Sequence, residues 1–333
     1  MWRKNFILLT LCIVMVSVLF LETNAEETGF ENPVGGSTGF SSYKMPVYKS
    51  IGSGEIVEYL EEGQSFLIEN EVDGWWEISS DDLSGYVDSS LCLINLPDIL
   101  PNILYSIVNS TGAIFKSSGY DLPGVSGEVL YSFGKVYNYR LGREEYIVPV
   151  SFTFAKKLSR VYQKAKAEGY NLKIYDAYRP KSVSAKIRDS LNSLYSDKES
   201  VRTGINVGEG GYSWGQGWFL AQSVSAHNFG CAVDVVLVES GTNWELSMPS
   251  PMHELSTLAI KYVNPNESRV SKQGYASTMT SAAKKLNELF LDEGLVGLPS
   301  EWWHFQDNDS ISRLRSISNG FDFQTESIVS KKW

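Results

Sequence analysis

Between residues 43 and 96 the apolar positions come in short runs separated by turn residues. Pro46-Val-Tyr48 is followed by Gly52-Ser-Gly54, and Ile56-Val-Glu-Tyr-Leu60 by Glu62-Gly63. Ser65-Phe-Leu-Ile68 runs to Asp73-Gly74, Trp75-Trp-Glu-Ile78 follows, and Ser84-Gly85 leads into Tyr86-Val87 and Ser89-Ser-Leu91. Runs this short, aromatic and β-branched, punctuated by glycine, predict five or so strands closing into a small all-β barrel. Residues 26–42, rich in Gly, Ser and Thr, predict a linker with little structure. Pro97 and Pro101 mark 97–103 as a connector.

The pattern changes after residue 104. From Val150 to Glu168, Phe154, Leu158, Val161 and Ala165 recur at helical spacing, and Gly169 ends the run. Leu172-Lys-Ile-Tyr175 predicts a strand, Lys181 to Leu194 a helix, and 232–238 a second strand. Ser277 to Glu293 is amphipathic, with Ala282, Leu286, Leu289 and Phe290 on one side, and Trp302 to Phe305 reads as a last strand. Residues 202–222, Gly-rich with Trp214 and Trp218, have no period and predict a long functional loop. Helices and strands alternate irregularly, so the expected class for 104–325 is α+β, a mixed, mainly antiparallel sheet with flanking helices.

Composition narrows the partners. The 333 residues carry a formal net charge of −10. That acidic balance excludes nucleic acid as the main partner, because phosphate binding needs a basic surface. At the N-terminus, Arg3 and Lys4 precede an apolar stretch from Phe6 to Leu21, and Thr23-Asn24-Ala25 offers small residues for cleavage. Residues 1–25 therefore predict a signal peptide and a secreted or cell-wall-associated protein; an uncleaved N-terminal anchor is the alternative. Cys92 and Cys231 fall in different predicted domains and are expected to stay unpaired, Cys231 as a small core residue.

The candidate chemistry gathers in two stretches. Ser225-Ala-His-Asn-Phe-Gly-Cys-Ala-Val-Asp234 holds His227 and Asp234, and Glu301-Trp-Trp-His304 holds Glu301 and His304; the chain has only three histidines. A carboxylate opening the apolar run Val235–Val238 is costly to bury unless a charge meets it. Two His and one Asp with a nearby Glu make up a catalytic zinc site: three ligands, a water in the fourth position, and a base. In a flat strand, positions seven apart face opposite sides, so His227 and Asp234 meet only if Gly230 turns the chain between them. Glu301 and His304 need a twisted or bulged strand end for the same reason. Arg179, fixed beside Pro180, is the candidate for stabilising an oxyanion.

Tyr178-Arg179-Pro180, Ser225-x-His227-x-x-Gly230-x-Ala232-x-Asp234 and Glu301-Trp302-Trp303-His304, in this order, resemble the zinc D-Ala-D-Ala dipeptidases and carboxypeptidases, above all the vancomycin-resistance dipeptidase branch. Phe321-Asp-Phe323 is similar to that branch near its C-terminus. The resemblance implies a D-Ala-D-Ala peptidase/hedgehog-like zinc fold over 104–325. It implies one Zn2+ on His227, Asp234 and His304, Glu301 as base, Arg179 at the transition state, and Ser225, with Tyr178, at the substrate. That branch places an acidic residue near the substrate ammonium; here Met248-Pro-Ser-Pro-Met252 is followed by His253 and Glu254, both candidates for substrate binding, with Glu254 the acid available to substitute. Residues 43–96 resemble bacterial SH3-like domains at Gly63, Gly74-Trp75-Trp76 and Gly85-Tyr86-Val87, which implies a cell-wall partner. The expected activity is hydrolysis of D-Ala-D-Ala in peptidoglycan metabolism. The alternatives are a D,D-carboxypeptidase or endopeptidase on stem peptides and, in another class, a non-catalytic wall-binding protein.

Overall fold

The computed structural model describes residues 29–132, 134–325 and 327–332; the signal segment expected at 1–25 lies outside them. Among the described residues no helix is long and apolar enough to cross a membrane. The N-terminal part contributes strands β1 (Thr38–Ser41), β2 (Met45–Tyr48), β3 (Ile56–Leu60), β4 (Ser65–Val72), β5 (Trp75–Ser80), β6 (Leu83–Asp88) and β7 (Cys92–Asn95). Alternation along β5 sends Trp76 and Ile78 inward, while Trp75 stays half-buried against Tyr48.

Two expectations are corrected here. The stretch read as a linker at 26–42 carries β1, which is fully buried between β4 and β7. Its glycine serves packing rather than flexibility: a Cβ on Gly39 would fall 2.3 Å from the Phe66 ring. The connector read at 97–103 begins in a buried turn of helix, α1 (Leu96–Ile99). Leu96, Ile99, Leu100 and Ile103 all face inward, a helical spacing that the two prolines obscured. Asp98 on α1 accepts hydrogen bonds from the Thr38 amide (2.9 Å) and Asn138 Nδ2 (2.6 Å), which ties β1 to the following chain. Burial raises its pKa; those two bonds act the other way.

Beyond α1 come β8 (Leu104–Tyr105) and two short ribbons, β9 (Lys116–Ser117) with β10 (Tyr120–Asp121) and β11 (Lys135–Asn138) with β12 (Arg143–Tyr146). Strand β13 (Pro149–Ser151) pairs with β7, so the eight-stranded antiparallel sheet, in the order β13-β7-β1-β4-β5-β6-β2-β3, draws on both halves of the sequence. Helix α2 (Phe152–Ala167) follows directly and ends at Gly169, whose φ of 84° suits glycine. Its first residue, Phe152, meets Trp76 at 4.6 Å between ring centroids.

The second sheet carries the candidate site. Its five strands run β16 (Val296–Leu298), β17 (Glu301–Gln306), β15 (Ala232–Glu239), β14 (Tyr170–Asp176) and β8. Only β14–β8 is parallel. Helices α3 (Lys181–Asp197), α4 (Glu199–Asn206), α5 (Gln216–Phe219), α6 (Ser281–Leu291) and α7 (Asn308–Arg315) complete a mixed α+β architecture. The central strand β15 is buried on both faces over seven residues, which explains its nearly continuous valine run. Cys92 and Cys231 are both free and buried.

The last residues cross back over the N-terminal sheet. Phe323 stacks on Tyr178 at 4.4 Å and on Phe40 at 6.4 Å, and Lys331 N donates to Gly36 O. Gly63 makes room for this strap, since a Cβ there would lie 2.3 Å from Phe323 Cγ.

Trp76 is the pin between the N-terminal sheet and α2. Trp76→Ala is expected to cost about 3–5 kcal/mol in reversible unfolding, and Trp76→Phe much less, because the indole N–H has no partner to lose. A Trp76→Ala protein as stable as the parent would show that the two parts do not depend on this contact.

Candidate metal centre and active-site cleft

Strand β14 ends at Asp176 with an irregularity in its pairing to β15, and the chain then passes through Ala177-Tyr178-Arg179-Pro180 into α3. Beside it lies the short turn Ala226–Phe229. Ser225 caps that turn: its Oγ accepts from His227 N and its own amide donates to Asn228 Oδ1. Arg179 N donates to His227 O, and Asn228 Nδ2 donates to Arg179 O, so the two segments hold each other. Gly230 closes the turn at φ 62°, with a Cβ there only 2.6 Å from Leu93 Cδ2. No larger residue satisfies both demands, and the reversal delivers His227 to the same side as Asp234.

Asp234 on β15 and His304 on β17 are direct cross-strand neighbours. Glu301 and His304 would face opposite ways in a regular strand. Leu298 pairs with Glu301 but the adjacent Gly297 pairs with Phe305, so β17 bulges by three residues at this point and Glu301 comes round to the site. Lys261 fills the space behind the bulge: its Nζ is 3.0 Å from Asn287 Oδ1 and 4.3 Å over the Phe305 ring. A Cβ on Gly297 would lie 1.9 Å from that nitrogen. Burial pushes the Lys261 pKa down to about 7 while the Glu301 charge opposes the fall.

Three donor atoms converge. His227 Nε2 lies 3.1 Å from His304 Nδ1, and each lies 3.3 Å from Asp234 Oδ1. The other nitrogens are engaged, His227 Nδ1 with Ala177 O at 2.6 Å and His304 Nε2 with Gln306 Oε1 at 3.0 Å. Both partners are acceptors, which assigns the protons to those nitrogens and leaves two lone pairs and a carboxylate oxygen facing one point. Bonds of about 2.0–2.1 Å with tetrahedral angles would set zinc donors about 3.3 Å apart. Donor set and spacing thus fit a divalent cation such as zinc.

The two carboxylates are shifted in opposite directions. Burial acts to raise the Asp234 pKa, but the surrounding histidines, His227 first, bring it well below the usual carboxylate range. Glu301 moves the opposite way: burial, then the Asp234 charge, push it well above that range, against Arg179 and Lys261. Burial also lowers His304, favouring the neutral ring that a metal needs.

Not every expected residue reaches the centre. His253 does, through its Nε2 on Asp234 Oδ2 at 3.0 Å; it stacks flat on Phe115 at 4.2 Å and holds a left-handed φ of 61°. Glu254 turns away, its carboxylate accepting from Ser118 N and Ser256 Oγ, so it cannot stand in for an acid at a substrate ammonium. Tyr178, expected at the substrate, is buried under the strap, donating to Phe323 O at 3.0 Å. The sequence reading missed Asp176, whose Oδ1 accepts from Tyr131 OH at 2.8 Å and whose Oδ2 lies 3.4 Å from Arg179 Nε, without hydrogen-bond geometry. Its place beside Tyr-Arg-Pro was the only signal. Lys261 gave none.

A cleft of about 900 Å³ opens over this centre, lined by Arg179, Ser225, His227, Glu301 and His304 and walled by Trp214, Trp218 and α7. Ser300 Oγ donates to Trp218 O, fastening the 202–222 loop to β17. Among the described residues Glu301 is the only carboxylate in the lining, against Arg179, Arg269 and Arg315.

A sequence profile of the D-ala-D-ala dipeptidase family matches residues 140–322, which include every residue of the centre. No curated protein matches the chain.

Zinc titration against a chromophoric chelator is expected to give one ion per chain. Asp234→Asn should weaken binding by more than about 100-fold, and His253→Phe, which keeps the stack but drops the hold on Asp234, by about 10- to 100-fold. Wild-type affinity in Asp234→Asn would place the ion elsewhere.

Proposed function

The chain belongs to the D-ala-D-ala dipeptidase family of zinc-dependent peptidases, and from that premise we propose that it is a zinc D,D-peptidase acting on D-Ala-D-Ala-terminated peptidoglycan stem peptides. The observation that carries the reading is the triangle of His227, Asp234 and His304 donors with Glu301 beside it, its Oε2 3.9 Å from His304 Nδ1. Those three residues would hold the zinc, which when bound polarises a carbonyl and acidifies water. Glu301 takes the proton from the attacking water at its carboxylate and delivers it to the leaving amine. Arg179, buried in the cleft floor and aligned by Asp176, faces the charge that develops on the carbonyl oxygen. Ser225 offers its hydroxyl to the substrate from the cleft wall.

The cleft favours a stem peptide over the free dipeptide. A free dipeptide brings an ammonium that, once desolvated, needs an acidic partner. Glu254 is turned away, His253 is committed to Asp234, and among the described residues the only carboxylate in the lining is the base itself. The volume is also large for a ligand of two alanines. A D,D-carboxypeptidase or endopeptidase therefore fits better than the dipeptidase expected from Glu-Trp-Trp-His. A purely wall-binding role would not need a complete set of ligands, base and arginine.

The rest of the chain suits that work outside the cell. Residues 1–25 serve as a signal segment, and 43–96 as an SH3-like module that keeps the catalytic region, 104–325, at the wall. The exposed Ile56, Val57 and Tyr59 on edge strand β3 offer that module a surface for a peptide ligand.

Purified, zinc-loaded protein would be given D-Ala-D-Ala, an N-acylated stem pentapeptide and intact sacculi, with products read by mass spectrometry. Release of D-Ala or of wall fragments is expected; cleavage confined to the free dipeptide would overturn the stem-peptide reading. Glu301→Gln should keep its zinc and lose at least about 100-fold in kcat. A near-normal rate would mean another group is the base.

A further inference from the structure

The cleft is cationic in an acidic protein. The chain carries −10 overall, yet among the described residues this wall and floor present Arg179, Arg269 and Arg315 against Glu301 alone. Arg179 is committed to the reacting centre beside Asp176. Among the described residues, Arg269 and Arg315 form no ion pair. Unpaired arginines facing one cavity raise the potential there and attract an anion.

The position of Arg315 can be fixed from the helix that carries it. Asn308, Ile311, Ser312 and Arg315 all line the cleft, at the i, i+3, i+4 and i+7 spacing of one helical face. The near end of that face is tied to the centre: His304 Nε2 donates to Gln306 Oε1, and Gln306 Nε2 donates to Asn308 Oδ1 at 2.6 Å. From Asn308, Arg315 is seven residues on, about 10 Å along the axis. The Phe229 ring, 6.0 Å from the guanidinium carbon, gives the far end a fixed neighbour. An extended peptide covers about 3.5 Å per residue, so the span corresponds to about three residues. A leaving group of one D-Ala covers about a third of that length, so in the carboxypeptidase reading the stem side of the substrate is the part long enough to lie along this face.

We propose that Arg315, reinforced by the charge of Arg269, forms an anion subsite at the outer end of the cleft for a side carboxylate of the substrate peptide. The preferred substrate is then a D-Ala-terminated stem peptide with free carboxylates two or three residues before the scissile bond, and its carboxamide counterpart is a poor one. This rests on the stem-peptide reading above and adds to it the chemical state of the peptide. Guanidinium suits the role, because its planar fork matches a carboxylate in a two-bond contact, whereas a carboxamide offers one acceptor and no charge.

The test compares two synthetic peptides ending in D-Ala-D-Ala. They are identical except that the two residues in question carry free carboxylates in one and primary carboxamides in the other. The wild-type enzyme is expected to favour the acid form by about fivefold or more in kcat/KM, with the ratio shrinking as ionic strength rises. Arg315→Gln should bring the ratio close to 1. Arg313→Gln, an exposed arginine on the same helix outside the cleft lining, should keep it, which separates a local subsite from a change in net charge. Equal rates on the two peptides with wild type, or an unchanged ratio in Arg315→Gln, would overturn the subsite. Calorimetric binding of both peptides to zinc-loaded Glu301→Gln reads the same preference without turnover. If neither peptide is cleaved but the acid form still binds more tightly, the peptidase reading fails and the subsite stands.

Discussion

The second sheet is built around an arrangement that is unfavourable by itself. Two imidazole lone pairs and a carboxylate oxygen are aimed at one point, 3.1–3.3 Å apart, on side chains that are almost fully buried. Like partial charges at that distance in a low dielectric repel strongly, and neither ring can turn its proton inward without abandoning Ala177 O or Gln306 Oε1. A positive charge at the centre, a metal ion or a further proton on one ring, relieves the conflict, and zinc fits the donor set and spacing. The surrounding residues hold the conflict in place, and this is what preorganisation for a metal means physically.

Several otherwise odd choices follow from that requirement. Gly230 reverses the chain under Leu93 so that residues seven apart share a side, and Gly297 yields its side-chain space to Lys261 behind the bulge. A buried lysine next to a strand would ordinarily be a liability, but here Asn287 and the Phe305 ring receive it, and its charge faces Glu301. His253 accepts a left-handed backbone to reach the far oxygen of Asp234. Strain of this kind persists where the surroundings over-determine it, and the Phe115 stack and the Lys116 amide on His253 O do so.

Coupling between the two halves of the molecule is stronger than a tethered module would need. Strand β13 completes the N-terminal sheet and leads without a break into α2, and Ser151 at its end donates its amide to Gly230 O, at the end of the turn that carries His227. The C-terminal strap stacks Phe323 on Tyr178, the residue before Arg179. The N-terminal sheet therefore braces both segments that shape the cleft floor, and its removal would loosen the site as well as any wall contact.

What the sequence made legible, and what it did not, follows one rule. That His227, Asp234, His304 and Glu301 come together was readable because their chemistry is rare: three histidines in the chain, an aspartate opening a valine run, and a glutamate three residues before a histidine. Helices α2 and α6 were readable because one apolar face repeats over many residues. Residues whose meaning depends on partners far along the chain were opaque. Glu254 looked like the acid nearest the substrate, yet its orientation is set by the amides of Ser118 and Gly119, over a hundred residues away. Tyr178 sits beside Arg179 in sequence, but alternation along an extended segment turns the two side chains apart, one to the strap and one to the cleft. The prolines around α1 suggested a connector although Leu96, Ile99, Leu100 and Ile103, between and beside them, could only be satisfied by burial. In each case local composition was outweighed by a long-range contact: the amides of Ser118 and Gly119 for Glu254, the Phe323 carbonyl for Tyr178, and the Thr38 amide and Asn138 side chain for α1.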